Sequence, residues 1–474
     1  MNSLLATDGY KFSMAEVGWP LRTETFYYTH RMGGAAVVPL DIKKFIENAK
    51  PKATKEDYEY LKSVEYGMGS GFGAAMEQSI TVNCLPPGAV FYDREPVFSV
   101  TGPSALVSWF EPMILQLNYR IQVASQALRD SSQKTNVGWV TCEAQKEIIL
   151  ETYDAVRVRP PEIKAMPEEY FGYVTEEIRK ILAVVGDPDR VFEVGLRSAT
   201  CMEQHLIALK ACAELGIKRT SNVYGAHRLN MIPVGTMGHE HVQRYGTDEA
   251  AFRAMKDRRP ARSSFLLDTF DTFKSGVPAA VKVMKETPLR RDSVRVDSGN
   301  KVLQILFIKS NMDDHKLRPV YLVEDISKVN EIQKIEEVRR AMRINDLDVL
   351  YGLGHMIVAA ASMTQFTRNN VSAVYKLCQS ANTPTMKFGN ETGGGKESVP
   401  GRPVVWRRTN GDGPIGIIGQ DGEPVLNGYK LLSGALLPEE WPQLPLIFND
   451  DKRVIYSNET NRLRNELRAQ HGIA

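Results

Sequence analysis

The sequence predicts an α/β protein centred on an irregular (β/α) barrel. Short apolar runs recur from about residue 185, helix-like segments lie between them, and each run ends in Gly, Ser, Thr, Asp, Arg or His. Strands that alternate with helices at this spacing form parallel sheets. Six or seven such units favour a barrel over an open sheet, although the pattern also fits a doubly wound fold. We assign the barrel to residues 136–375.

The predicted barrel strands are the apolar runs at 191–194, 231–234, 264–267, 294–296, 320–323 and 347–351. Helix-like segments between them include 202–215, 278–285 and 326–342. Ligands of such folds bind at the carboxyl ends of the strands. Here these ends carry 195–197, 220–222, 235–239, 268–271, 297–299 and 352–354. One mouth would collect two carboxylates, a histidine, an arginine and several small residues, which suits a phosphate-bearing substrate with a metal.

The chain on either side of the barrel has a different pattern. Residues 1–135 predict a helix starting near Asp8, strands at 24–31 and 89–101, and a long amphipathic helix over 105–128 that Pro112 kinks. We interpret the apolar stripe of that helix as core, and the glycine-rich stretch 67–73 as a loop. Residues 376–474 are strand-like and rich in turns, with a terminal helix over 458–470.

Composition excludes several classes of protein. Of the 474 residues, 43% are hydrophobic and 24% are charged, which is typical of a globular chain. The net charge of +2 gives no sign of a nucleic-acid or membrane-surface partner. The five cysteines are scattered and no two form a Cys-x-x-Cys pair, so we expect reduced, mostly buried thiols in a cytoplasmic protein. We expect neither a signal peptide nor a membrane-spanning helix.

The order of motifs along the chain resembles the nicotinate phosphoribosyltransferases, members of the type II phosphoribosyltransferase group. The matching segments are 4–14, Glu95-Pro96, 100–103, the helix with Glu111 and Asn118, 193–197, 220–223, Gly235-Thr236-x-x-His239, 266–272, Arg295-x-Asp297-Ser298-Gly299, 374–377 and 396–401. A single motif of this kind is weak, but the ordered set covers most of the chain.

This resemblance implies a reaction and an architecture. Family members join nicotinate to phosphoribosyl pyrophosphate with Mg²⁺, giving nicotinate mononucleotide and pyrophosphate in NAD salvage. Many couple the reaction to ATP hydrolysis through a phosphohistidine, as ATP-dependent ligases. The implied fold is the barrel plus an α/β sandwich domain formed by the N-terminal segment, 1–135, and the C-terminal segment, 376–474. The implied assembly is a homodimer with an active site near the interface.

The resemblance also implies residue roles. His239 is the expected phosphorylated histidine, Arg197 is expected to pair with the nicotinate carboxylate, and Tyr10 to stack on the pyridine ring. Ser221 stands where related nicotinamide-using enzymes have an aspartate, and a neutral hydroxyl there favours the acid over the amide. Three further groups of residues complete the expected site: Asp268 and Asp297 for the ribose hydroxyls or Mg²⁺-pyrophosphate; Ser298 and Gly299 with Gly352 and Gly354 for the 5′-phosphate; and Arg31, Thr220 and Thr236 for substrate.

Alternative interpretations remain open at this level. His239 is alternatively a structural histidine, Tyr10 an ordinary half-buried tyrosine, and the two aspartates helix caps. The chain also departs from the family pattern: His355 stands where a threonine is usual, and Ser198 where a second arginine is common. The rival functions are therefore a nicotinamide phosphoribosyltransferase and a non-catalytic protein that binds phosphoribosyl pyrophosphate.

Overall fold

The structure is a computed structural model that describes residues 3–129, 138–286, 292–359, 366–388, 397–409, 413–432 and 454–473. The predicted boundary between residues 135 and 136 lies outside these ranges. In chain order, the described strands are β1 Thr23–Thr29, β2 Ala36–Val37, β3 Thr81–Cys84, β4 Val90–Phe91, β5 Phe98–Pro103, β6 Trp139–Val140, β7 Lys164–Ala165, β8 Val191–Glu193, β9 Arg219–Thr220, β10 Ile232–Pro233, β11 Ser264–Leu266, β12 Ser293–Val296, β13 Val320–Val323, β14 Val349–Leu353, β15 Val374–Ser380, β16 Thr383–Pro384, β17 Pro403–Arg408, β18 Gly416–Gln420, β19 Tyr429–Leu431 and β20 Val454–Tyr456.

The described helices are α1 Gly9–Val17, α2 Ile42–Asn48, α3 Lys55–Ser63, α4 Ser70–Glu77, α5 Ser104–Trp109, α6 Glu111–Leu128, α7 Glu143–Ala155, α8 Pro167–Val185, α9 Met202–Glu214, α10 Val223–Leu229, α11 His239–Tyr245, α12 Asp248–Arg258, α13 Val277–Glu286, α14 Lys301–Asp314, α15 Val329–Ala341, α16 His355–Val358 and α17 Asn458–Gln470. Among the described residues, no helix is long and apolar enough to cross a membrane.

A curled parallel sheet forms the centre of the molecule. Within the described residues it has seven strands in the order β10-β9-β8-β14-β13-β12-β11. The first and last of these in the chain, β8 and β14, are paired, and the sheet is open only between its edges β10 and β11. Each strand otherwise lies beside its neighbours in sequence, which is barrel order. The irregular (β/α) barrel is therefore confirmed and the doubly wound alternative is wrong.

The seventh strand, β9, was not among the apolar runs of the sequence. It has only two residues, Arg219 and Thr220, and Arg219 is half-buried with its guanidinium donating to the Asp189 carbonyl at 2.7 Å. A strand this short and polar gives no hydrophobic pattern. Its place in the sheet depends on pairing with β8 and β10.

A second, antiparallel sheet brings the two ends of the chain together. Its order is β16-β15-β1-β5-β3, so strand β1 lies between β5 and the C-terminal β15. Phe26 and Tyr28 of β1 pack into the cluster that includes α5 and α6, whereas Tyr27 packs with Val399 and Ile418 on the opposite face. This alternation buries both faces of the sheet. The α/β sandwich formed by N-terminal and C-terminal segments is thereby confirmed.

Two local expectations needed correction. The predicted helix over 105–128 is two helices, α5 and α6, because Pro112 lies in the first turn of α6 and a proline further inside a helix removes a backbone hydrogen bond. The glycine-rich stretch predicted as a loop enters helix α4 at Ser70. Phe72 and Met76 of that helix are buried in the sandwich core, and this burial stabilises the helix despite its glycines.

Candidate active site

A cavity of ≈ 290 Å³ opens at the carboxyl ends of the barrel strands. Its walls include Arg197 after β8, His239 after β10, Asp297 after β12 and Gly354 after β14. The antiparallel sheet supplies the remaining wall through residues of β15 such as Lys376. The expectation that ligands bind at the carboxyl ends of the barrel strands, the strand-end rule, therefore located the cavity. The sandwich domain encloses it.

The N-terminus of α1 lies across the ends of β9 and β10. The backbone N–H of Gly9 donates to the Ser221 carbonyl at 2.7 Å, and a Cβ at Gly235 would lie 2.3 Å from the backbone nitrogen of Tyr10. Only glycine at position 235 permits this approach. The result is that Tyr10 reaches the cavity, where its hydroxyl donates to Glu111.

Charged side chains surround Tyr10. The Arg197 guanidinium carbon is 5.4 Å from the centre of the Tyr10 ring, and its Nη1 is 3.7 Å from Oε1 of Glu111. Lys11 also pairs with Glu111, at 2.7 Å. Burial opposes ionisation of Glu111, but Lys11 and Arg197 hold the pKa of that carboxyl well below its usual range. Glu111 is a functional candidate to which the sequence assigned no role.

Asp8 and Ser221 contact each other beside Arg197. The Ser221 hydroxyl donates to Oδ1 of Asp8 at 2.6 Å, while Oδ2 of Asp8 lies 3.4 Å from Nε of Arg197 without hydrogen-bond geometry. Burial raises the pKa of Asp8, although Arg197 opposes the shift. The structure therefore places a carboxylate next to Ser221, which the sequence interpretation had treated as a neutral position.

Glu193, the last residue of β8, holds the segment that carries Arg197. It is fully buried and accepts hydrogen bonds from the Gly195 N–H, from the Thr220 hydroxyl at 2.8 Å and from His205 at 2.9 Å. Thr220, expected to bind substrate, thus has its hydroxyl directed at Glu193. Its contacts fix the barrel rim under Arg197.

His239, the first residue of α11, meets both predicted aspartates. Its Nε2 is 3.2 Å from Asp297 Oδ2 and 3.9 Å from Asp268 Oδ1, while its Nδ1 is 3.1 Å from Thr269 Oγ1. The Lys387 ammonium lies 2.6 Å from the same Nε2. Burial and then the Lys387 charge lower the pKa of His239 to about 4, so the imidazole is neutral at neutral pH. A donor at Nε2 leaves the proton of the neutral ring on Nδ1.

The same three residues fit a divalent cation. One ligand atom from each of His239, Asp268 and Asp297 lies within 4.8 Å of the others. Oδ1 of Asp268 is buried and has no hydrogen-bond partner among the described residues. Burial opposes ionisation of both aspartates. Nevertheless Lys387 lowers the pKa of Asp268, and Arg295 holds that of Asp297 well below its usual range. Two ionised carboxylates suit Mg²⁺, which prefers oxygen ligands.

Charged side chains of both signs line the cavity, and its carboxylates are Glu111, Glu240, Asp297, Glu324 and Asp325. In the described part of the chain, the cations that line it are Arg31, Arg197, Arg295, Arg368, Lys376 and Lys387. Nε of Arg368 is buried with no hydrogen-bond partner among the described residues. Burial lowers the pKa of Lys376 to about 7.

Apart from Arg31 and Arg197, the sequence analysis assigned none of these cations to the site. Arg295 stood within a quoted motif, whereas Arg368 and Lys387 lie beyond the last barrel strand and stand in no quoted motif.

The expected phosphate residues lie on one side of this cavity. Ser298, Gly352 and Gly354 line it, and the Ser298 hydroxyl donates to Asp268. A Cβ at Gly352 would lie 2.6 Å from Cγ of Glu324, so the site requires glycine there. Gly299 is exposed in the turn that precedes α14, with a φ of 77°.

Thr236 belongs to a second cavity, of ≈ 470 Å³, inside the barrel. Its hydroxyl oxygen accepts from Arg295 at 3.3 Å. Tyr10 and Arg197 line both cavities, and Ser221 lines the inner one. The predicted base-binding residues therefore form the partition between the mouth and the interior of the barrel.

Comparison with known proteins gives a consistent set of relatives. No family model matches the chain. The chain is 26% identical over 278 residues to the nicotinate phosphoribosyltransferase of Bacillus subtilis, an alignment that covers 56% of this chain and 54% of the relative. It is 22% identical to the Dictyostelium discoideum protein of that name over 95% of this chain and 76% of the relative. The human protein is 21% identical over 90% of this chain and 79% of its own length.

Solved structures share the fold. The nicotinate phosphoribosyltransferase of Porphyromonas gingivalis superposes with a TM-score of 0.59 at 16% identity, over 84% of this chain and 96% of that one. The Vibrio cholerae enzyme gives 0.54 at 14% identity, over 82% and 88% of the two chains. With the curated relatives, these likenesses agree with the motif order and with the barrel-plus-sandwich fold. The chain is similar in sequence and in fold to nicotinate phosphoribosyltransferases.

Proposed function

We propose that this protein transfers the phosphoribosyl group of phosphoribosyl pyrophosphate to nicotinate, giving nicotinate mononucleotide and pyrophosphate in NAD salvage. The observation that carries the proposal is the cavity at the barrel mouth, with Tyr10 and Arg197 at one end and the cluster of His239, Asp268 and Asp297 at the other, and with six cationic side chains in its walls. Such a cavity offers charge partners for a highly phosphorylated substrate and an aromatic side chain for a small ring.

The base would bind at the partition. Tyr10 would stack on the pyridine ring and the Arg197 fork would pair with the carboxylate, exchanging part of its present interaction with Glu111. Lys11 already neutralises Glu111, which allows that exchange. The glycosidic nitrogen would then face the ribose carbon in the larger mouth cavity.

The phosphoribosyl moiety would occupy the mouth. Ser298, Gly352 and Gly354 would hold the 5′-phosphate, with Gly299 in the adjoining turn, while Arg31, Arg368, Lys376 and Lys387 are suited to the pyrophosphate. Asp268 and Asp297 would hold either the ribose hydroxyls or Mg²⁺. The metal ion would neutralise charge on the departing pyrophosphate. As the bond from ribose C1 to pyrophosphate breaks, positive charge develops on C1, and positioning with electrostatics carries most of the rate.

His239 is proposed to couple the reaction to ATP. Its low pKa keeps the imidazole neutral, and Lys387 lies where it can stabilise an incoming γ-phosphoryl group. In this step a bond forms between Nε2 and phosphorus, the β–γ bridging bond breaks, and ADP leaves. Thr269, whose Oγ1 lies 3.1 Å from Nδ1, would accept the ring proton's hydrogen bond and orient the imidazole while Nε2 attacks.

The test is mononucleotide formation by the purified protein with phosphoribosyl pyrophosphate and Mg²⁺, with nicotinate or nicotinamide, each with and without ATP. We expect product from nicotinate that ATP stimulates. His239→Ala should abolish the stimulation and leave basal turnover. No product from either base would favour the non-catalytic binding protein.

A second candidate base is nicotinamide. Oδ2 of Asp8 is buried beside Ser221, has no hydrogen-bond partner among the described residues and could accept from a carboxamide N–H. Asp8→Asn and Ser221→Asp separate the two candidates. If nicotinate is the base, Asp8→Asn should preserve its use, and Ser221→Asp should shift preference towards the amide. Loss of amide turnover in Asp8→Asn would identify nicotinamide as the substrate.

We also propose that the protein acts as a homodimer in the cytoplasm, with barrel residues 136–375 flanked by the sandwich segments 1–135 and 376–474. The scattered thiols and the likeness to nicotinate phosphoribosyltransferases support this proposal. Light scattering coupled to size exclusion measures the mass in solution, and a monomer that turns over substrate would contradict it.

A further inference from the structure

Two cysteines far apart in sequence are in contact. The Sγ atoms of Cys142 and Cys201 lie 3.5 Å apart, and both residues are buried. Each caps the amino end of a helix, Cys142 that of α7 and Cys201 that of α9. No sequence pattern indicates this pair, because 58 residues separate the two thiols. In a disulfide the two sulfur atoms lie about 2.05 Å apart, with a Cβ–S–S–Cβ dihedral angle near 90°.

The surroundings of the two cysteines are built alike. Each is preceded by a threonine and followed three residues later by a glutamine. Gln145 accepts from the backbone N–H and the hydroxyl of Thr141, both at 2.7 Å. Gln204 accepts in the same way from Thr200, at 2.7 and 2.8 Å. These bonds hold the backbone before each cysteine, so the thiols stay in register with one another.

The pair is chemically poised for oxidation. The contact with Cys142 is the main cause that lowers the pKa of Cys201, and burial opposes that effect. The helix N-terminus at Cys201 further favours a thiolate. A thiolate beside a thiol forms a disulfide in two short steps, and the 3.5 Å contact places the two sulfur atoms for that reaction.

A cavity gives access to this pair. It has a volume of ≈ 250 Å³, and Cys201 lines it together with Leu196, Gln116 and Arg120. A water molecule takes up about 30 Å³ in the liquid, so the cavity has room for a small peroxide. Cys142 lies behind Cys201, in position to resolve an oxidised sulfur.

We propose that Cys142 and Cys201 are a modification site that hydrogen peroxide converts into a reversible disulfide. The Cys201 thiolate attacks the peroxide: a bond from sulfur to oxygen forms, the O–O bond breaks, and hydroxide leaves. The Cys142 sulfur then attacks the resulting sulfenic acid, its thiol proton leaves with the oxygen as water, and the S–S bond forms. In total, two thiols and one peroxide give one disulfide and two waters.

Oxidation would reach the active site through a short segment. Cys201 follows Arg197 by four residues, and Gln116 of α6 donates to the Leu196 carbonyl at 3.3 Å within this segment. Closing the sulfur separation from 3.5 Å pulls the amino end of α9 towards α7. This consequence rests on the proposed function, because it predicts weaker use of the base that Arg197 binds. The disulfide itself does not depend on it.

The experiment treats the full-length protein with increasing hydrogen peroxide, alkylates free thiols under denaturing conditions and maps peptides by mass spectrometry. Met32, 54% exposed, reports through its sulfoxide that oxidant has acted. We expect a cross-linked Cys142–Cys201 peptide that has lost two hydrogens and that dithiothreitol restores. Cys142→Ser should abolish the cross-link, while the matched control Cys212→Ser, at another buried thiol, should retain it.

Three outcomes would overturn the proposal once Met32 is oxidised: both thiols recovered fully alkylated, both recovered as sulfinic acids without a cross-link, or a disulfide with a different partner. In parallel, oxidised protein should lose roughly tenfold in kcat/KM for the base, and reduction should restore it. If the disulfide forms without this loss of kcat/KM, the modification site is supported, but the proposed effect of the disulfide on Arg197 is refuted. A disulfide in a protein that uses neither base would refute the proposed function alone.

Discussion

The buried ion pair between Glu24 and Arg244 gives a stability prediction whose size follows from the structure. Arg244 lies in α11, the helix that begins with His239, and Glu24 lies in β1 of the sandwich sheet. The two side chains, 3% and 0% exposed, share two hydrogen bonds of 2.6 and 2.7 Å. Ser380 donates to the same carboxylate at 2.9 Å. The pair therefore links the barrel to the sandwich at a position buried from solvent.

Glu24→Gln keeps the shape of the side chain but leaves the guanidinium without a counter-charge. Removing one partner of a buried pair costs about 3–5 kcal/mol, because the remaining charge stays desolvated. We expect a loss near the lower limit, since the amide oxygen still accepts one hydrogen bond. The matched control is Glu459→Gln, whose partner Arg462 has a side chain 52% exposed. A pair in that position contributes less than about 1 kcal/mol.

Urea unfolding, followed by both tryptophan fluorescence and circular dichroism, measures the change and tests whether the two transitions coincide. The double variant Glu24→Leu with Arg244→Met should recover most of the loss, because apolar groups of similar volume replace a buried pair at little cost. If Glu24→Gln is no more destabilising than Glu459→Gln, the reasoning about desolvation at this position is refuted.

Three further changes test the candidate site. Lys376 becomes cationic only as the pH falls through about 7, so pyrophosphate affinity measured by calorimetry should rise there, and Lys376→Gln should remove that rise. Gly352→Ala puts a Cβ 2.6 Å from Glu324 and 2.8 Å from Phe192, and should cost about 1–3 kcal/mol in urea unfolding; an unchanged midpoint would show that these neighbours yield. Arg197→Lys loses the planar fork and should reduce kcat/KM for nicotinate roughly tenfold to a hundredfold, with less effect on nicotinamide; equal losses would contradict pairing with the carboxylate.

Sequence reasoning succeeded where local pattern and chain position coincide. The strands β13 and β12 and the tail helix α17 lie at or within one residue of their predicted bounds, because apolar runs and periodic helices are local signals. The strand-end rule brought His239, Asp268 and Asp297 to one place, since parallel strands share a carboxyl edge. It left out β9, which has too few residues to show a pattern.

The sequence by itself determined the alternation of strands and helices, favoured the barrel and specified the residue types at its mouth. Only the tertiary structure decided which distant charges share that mouth. Lys376 and Lys387 reach the cavity because β15 pairs with β1 across the chain, and no local periodicity encodes a pairing between segments about 350 residues apart. The contact of Cys142 with Cys201 and the carboxylate of Asp8 beside Ser221 arise in the same way. Spacing along the chain sets what each strand end carries, whereas packing sets the distances on which pKa values and chemistry depend.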